Sequence, residues 1–123
     1  MMRTNLSVLL VCLFSIWSVT SEVVASEADV NQKWCTQVNG ITEFRTKDGT
    51  FVDCYTNEYA VEAEYDYNWK EAVGQSLHYA ESTGKKAGIL FIKRAVSKKN
   101  YLAQMKRVIE EFDLPIEIFT TEE

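Results

Sequence analysis

Between Asp53 and Tyr79 the chain carries five side chains of the types that do chemistry, at spacings that bring them toward one place. Asp53 lies in an alternating stretch that reads as a strand. Glu62 and Glu64 lie in the next strand, and Gln75 and Tyr79 sit one turn apart on the helix after it. Side chains alternate along a strand, so Glu62 and Glu64 share one side, with Tyr59, Val61, Ala63 and Tyr65 on the other. Glutamates opposite an apolar face are also the ordinary pattern of a solvated sheet face, and Gln75 and Tyr79 could serve only to hydrogen-bond strand ends. Even so, three carboxylates, an amide and a phenol from three adjacent elements exceed what a small domain needs for folding. Other chemistries are argued against by composition. His78 is the single histidine and no glycine-flanked serine elbow is present, which disfavours a Ser/His/Asp hydrolase. Neither Cys35 nor Cys54 has the spacing of a zinc or redox motif.

The elements that must position these residues follow from periodicity and stop signals. Ser26 caps a helix expected over Glu27 to Val38, with Asp29 at its third position and Asn31, Trp34, Cys35 and Val38 on one face. Asn39-Gly40 ends that helix in a left-handed cap. Strands are expected over Ile41 to Lys47, Thr50 to Thr56 and Tyr59 to Tyr65, the first two joined by the Asp48-Gly49 turn. A second helix is expected over Asn68 to Thr83, stopped by Gly84, with Trp69, Ala72, Val73, Ser76, Leu77 and Ala80 as its packing stripe. Ala87 to Ile92 is an unbroken apolar run, suited to a strand covered on both faces. A third helix over Asn100 to Phe112 and a last strand over Ile116 to Thr120 complete an order of α-β-β-β-α-β-α-β. The fold class is therefore α/β. A meander leads into right-handed crossovers, giving a mixed sheet flanked by helices.

The chain has 123 residues, 46% of them hydrophobic and 25% charged, which suits a single domain. Residues 1–25 are read as a signal peptide. Arg3 precedes the apolar run Leu6 to Val19, and Val23-Val24-Ala25 offers a cleavage site, so residues 26–123 form the mature domain of an exported, periplasmic or secreted protein. An uncleaved anchor is the alternative. Export and an even count of mature cysteines favour a Cys35–Cys54 disulfide over two buried thiols. Cleavage removes one charge of each sign and leaves the net charge at −5. An acidic balance does not attract polyphosphate by itself. Against it, Lys85, Lys86, Lys93, Arg94, Lys98, Lys99, Lys106 and Arg107 concentrate positive charge in the second half, where they could track a phosphate backbone or simply be solvated.

The stretch from Gly49 to Ala80, and the element order around it, resembles the PD-(D/E)XK nuclease superfamily, in particular its RecB-like and Holliday-junction-resolvase-like members. Asp53 and Glu62-Ala63-Glu64 fall where that pattern has its acids, and Gln75-Ser76-Leu77-His78-Tyr79 matches a Gln-x-x-x-Tyr on the next helix. The resemblance implies a restriction-endonuclease-like core, a DNA partner and Mg²⁺ (or Mn²⁺) held by Asp53, Glu62 and Glu43. The metal would activate water for phosphodiester hydrolysis. Gln75 and Tyr79 would line the site. The pattern's lysine is replaced by Glu64, which leaves open a second reading: a catalytically degenerate binding or structural protein of the bacterial envelope. A homodimer fits the small size but has no motif behind it.

Overall fold

The computed structural model describes residues 24–123 together with Ser18. The proposed leader, residues 1–25, therefore lies outside the described residues apart from Ser18, Val24 and Ala25. Helix α1 (Glu27–Gln37) is followed by the antiparallel strands β1 (Ile41–Arg45), β2 (Phe51–Tyr55) and β3 (Tyr59–Tyr65). A 3₁₀ turn (Asp66–Asn68) runs into α2 (Trp69–Thr83), and then come β4 (Lys86–Lys93), α3 (Tyr101–Glu111) and β5 (Ile116–Glu122). The five strands lie in the order β1-β2-β3-β4-β5. The first two neighbour pairs are antiparallel and the last two parallel. This is the expected mixed α/β sheet flanked by helices, and it is compatible with a restriction-endonuclease-like core. Among the described residues no helix is long and apolar enough to cross a membrane.

Local chemistry sets the element ends. Ser26 and Asp29 form a reciprocal capping box at the start of α1. Gly84 closes α2 in the left-handed conformation. At the end of α1 it is Asn39, with φ of 57°, that turns left-handed. The neighbouring Gly40 is required for space instead: a Cβ there would lie 2.6 Å from Cys35 Sγ and closer still to Cys54 Sγ. Those two sulfurs form a disulfide between α1 and β2, closing a loop of sequence separation 19.

Both faces of the sheet are covered. On one, Cys35 of α1 packs with Cys54, Val61, Ala63, Leu90 and Ile92. On the other, α2 and α3 place Trp69, Ala72, Met105 and Ile109 against Ile89 and Phe91. Strand β4 is accordingly buried from Ala87 to Ile92, as its unbroken apolar run implies. The glutamate side of β3 is the side α2 covers, so Glu62 and Glu64 are 4% and 8% exposed, and the face is not solvated.

Candidate functional site

The polar cluster forms where the sheet splits. Strands β2 and β3 pair only at Cys54↔Val61 and Tyr55↔Ala60, and beyond them the strands part. Asp53 fills the gap. Its Oδ2 accepts a 2.8 Å hydrogen bond from the Ala63 amide, and its own carbonyl accepts one of 2.9 Å from Asn31 Nδ2 on α1. A side chain thus stands in for the missing ladder partner. Across the same rung of β1, Glu43 adopts a φ of 52°, a conformation that costs a non-glycine residue energy.

Glu62 projects into this gap beside Asp53, beneath Tyr79 of α2. The Tyr79 hydroxyl donates to Gln75 Oε1 at 3.2 Å. Burial, and then the charge of Asp53, hold the Glu62 carboxyl far above the ordinary carboxylate range. Burial raises Asp53 too, and the two carboxyls share a proton. Protonation also answers a hydrogen-bonding deficit, because Glu62 Oε2 is buried with no donor pointing at it. A carboxylic acid supplies its own donor, toward Asp53. Tyr79 is likewise raised, by burial first and by Glu62 next, so its hydroxyl stays neutral.

Glu64 stands apart from this trio. Its Oε1 accepts from the Tyr65 amide at 3.1 Å and from Asn68 Nδ2 at 3.3 Å. Burial, followed by the facing carboxyl of Glu27, pushes it up to about 7. Asp53, Glu62, Gln75 and Tyr79 therefore come together as expected. Glu64 belongs to a second, smaller group with Glu27 and Asn68, and Glu43 remains an exposed side chain on the outer strand.

Three participants were missed in the sequence. Asn31 is one, although its place among Trp34 and Cys35 on an apolar helix face was a signal. Asp66 and Arg94 are the others: Arg94 Nε donates to the buried Asp66 Oδ1 at 2.9 Å, and its guanidinium lies 4.1 Å from the Tyr67 ring centroid. This pair pins the loop after β4 to the 3₁₀ turn. His78 is exposed, as expected, and meets Asp48 Oδ2 at 2.6 Å. Ser82 donates to that same oxygen rather than to the imidazole, so the three do not form a nucleophile relay.

Among the described residues no group of three or more His, Cys, Asp or Glu is disposed to hold a metal ion. The metal-binding reading of Asp53, Glu62 and Glu43 is corrected on that ground. The physical reason lies in the geometry above: the buried pair is neutralised by a proton, Glu64 is occupied by Asn68, and Glu43 faces outward.

Charge elsewhere is strongly segregated. From Glu81 to Glu110 the intervening chain carries all eight basic residues named above and no carboxylate. It builds β4, the following loop and most of α3, so a positive surface is carried by a chain whose net charge is −5.

No family model matches the chain, and no solved structure matches it. Similarity does extend to KilA-N domain-containing proteins of Acanthamoeba polyphaga mimivirus. Protein R878 is 31% identical over 80 residues, covering 65% of this chain and 22% of the relative. Protein L33 is 27% identical over 93 residues, 76% of this chain and 37% of the relative. Protein L32 is 32% identical over 79 residues, 64% and 21% of the two chains. This chain therefore spans well under half the length of each. These relatives overturn the assignment to the PD-(D/E)XK nuclease superfamily as a small exported bacterial member, and the nuclease and hydrolase readings fall with it. The acids and the Gln-x-x-x-Tyr that suggested that superfamily are common residues at short spacings. Here they serve a proton-sharing seam between strand and helix.

Proposed function

We propose that this chain is a DNA-binding module that acts without cleaving its partner. The carrying observation is the run of eight basic side chains, free of carboxylates, displayed by β4, its following loop and α3. Lys and Arg that neutralise phosphates release condensed counterions, which is the main source of affinity for DNA. The acidic remainder of the chain repels the same polymer and so orients the encounter. Similarity to KilA-N domain-containing proteins supports the reading, since KilA-N domains are DNA-binding. Binding without turnover is supported by the site: Glu64 stands where a water-activating lysine would be needed, and Glu62 holds a proton.

Fluorescence anisotropy of labelled DNA, repeated across a salt series, tests this. Binding is expected to weaken as salt rises, with a log–log slope of about −0.9 per neutralised phosphate on duplex or about −0.7 on a single strand. No binding at low salt to either form would refute it, and so would binding insensitive to salt.

A further inference from the structure

A cleft of about 460 Å³ opens at the carboxyl ends of β4 and β5, against the start of α3. This is the end of a parallel sheet at which open α/β folds hold ligands. Phe91, Tyr101 and Leu102 make an apolar wall, and Lys93, Lys98 and Lys99 stand around it. All three lysines are exposed, and among the described residues none forms an ion pair. Two carboxylates also line the cleft. Asp66 is committed to Arg94, and Glu122 sits on β5 beside Lys93. Three lysines against the single uncompensated Glu122 leave the lining positive by two. The loop bearing Lys98 and Lys99 is held in place rather than free, because Arg94 bonds Asp66, covers Tyr67 and donates to Ser97 Oγ at 3.4 Å.

A volume of this size falls within the ~300–1,000 Å³ range of small-ligand pockets, with room for a single nucleotide and none for a duplex. A cationic rim beside an aromatic and aliphatic wall is how proteins hold unpaired strands: the base packs on the wall and the phosphate meets the lysines. Bases inside a duplex have both faces covered by their neighbours in the stack. We infer that this cleft seats one nucleotide of an unpaired DNA strand, its base against Tyr101 and Leu102 and its phosphate among Lys93, Lys98 and Lys99. The inference rests on the DNA-binding reading above and adds to it the strand type and the place.

The test compares a labelled single-stranded oligothymidine with a blunt duplex of equal length, against the full chain and its K98E/K99E variant. Both lysines are exposed, and an unchanged circular dichroism spectrum and unfolding midpoint would show that the variant folds. Single-strand binding is expected to exceed duplex binding about tenfold or more, and the variant to lose that preference. Its salt slope should fall by about 1.4 for two lost phosphate contacts on a single strand. Thymidine 5′-monophosphate should compete with the oligonucleotide for wild type. Duplex bound as well as single strand, or a variant that binds like wild type, would overturn the cleft while leaving DNA binding intact. No binding to either DNA would remove the DNA-binding reading itself.

Discussion

Replacing Glu62 by Gln tests the shared proton directly. Glu62 is 4% exposed, its native carboxyl is held well above 7, and its ordinary value is 4.5. The sign follows from where the proton is bound. A carboxyl whose native pKa is raised supports the fold fully below its unfolded pKa and does so progressively less as pH climbs toward the native value. At pH 7 the unfolded chain releases this proton and the native chain keeps it. With 1.36 kcal/mol per pH unit over the interval from 4.5 to 7, the cost to native stability is about 3 kcal/mol. That figure needs only a native value above 7, whatever its size. The amide introduced by the substitution keeps the shape and donates to Asp53 without binding a proton. Urea unfolding of wild type and Glu62→Gln at intervals from pH 5 to pH 9 measures the effect. The variant is expected to match wild type near pH 4.5 and to gain about 1.4 kcal/mol of relative stability for each pH unit above it. Groups that titrate alike in both proteins cancel in the difference. A stability difference that does not change with pH would refute the shared proton.

Glu64→Gln should flatten the same profile in a narrower window. Its native carboxyl lies at about 7, so wild type loses relative stability only as pH rises from 4.5 to that value; a difference that kept growing above pH 8 would contradict the assignment. Arg94→Ala leaves the 1% exposed Asp66 without its partner and should cost about 3 kcal/mol in urea unfolding, whereas a cost below about 1 kcal/mol would mean that the pair is solvated. Gly40→Ala forces a Cβ against both disulfide sulfurs and should destabilise by about 1–3 kcal/mol, with most of that cost recovered in a Cys35→Ala/Cys54→Ala background. Reducing the disulfide in wild type should lower stability by about 3 kcal/mol, as expected from freeing a loop of this length.

The element order was legible because each segment carries its own period and its own stop signal. Tyr59 to Tyr65 alternates cleanly and is a strand over those residues. Gly84 and Asp48-Gly49 mark turns through local backbone needs that no distant contact alters. Where the reading missed, the deciding partner lay far along the chain. Strand β5 runs two residues past Thr120 because β4 continues to Lys93 beside it. On α2, Tyr79 is buried and Leu77 only half-buried, since the helix is rolled toward the gap between β2 and β3. The Asp66–Arg94 pair joins residues 28 apart in sequence, and nothing in either neighbourhood announces it.

The same division runs through the site. Alternation alone puts Glu62 and Glu64 on one side of β3, and a four-residue spacing alone stacks Tyr79 on Gln75. Whether that side meets water or a helix depends on where α2 docks, and this is what turned an ordinary charged strand face into a buried acid pair. Sequence by itself therefore determined the order of elements, the Cys35–Cys54 candidate pair and the basic run from Lys85 to Arg107, because these rest on local backbone preference and on charge, which are additive along the chain. Tertiary structure alone decided the proton shared by Asp53 and Glu62, the anchored loop after β4 and the cleft beside Lys98. Desolvation and enclosure are properties of space shared by distant segments, and no single stretch of sequence contains them.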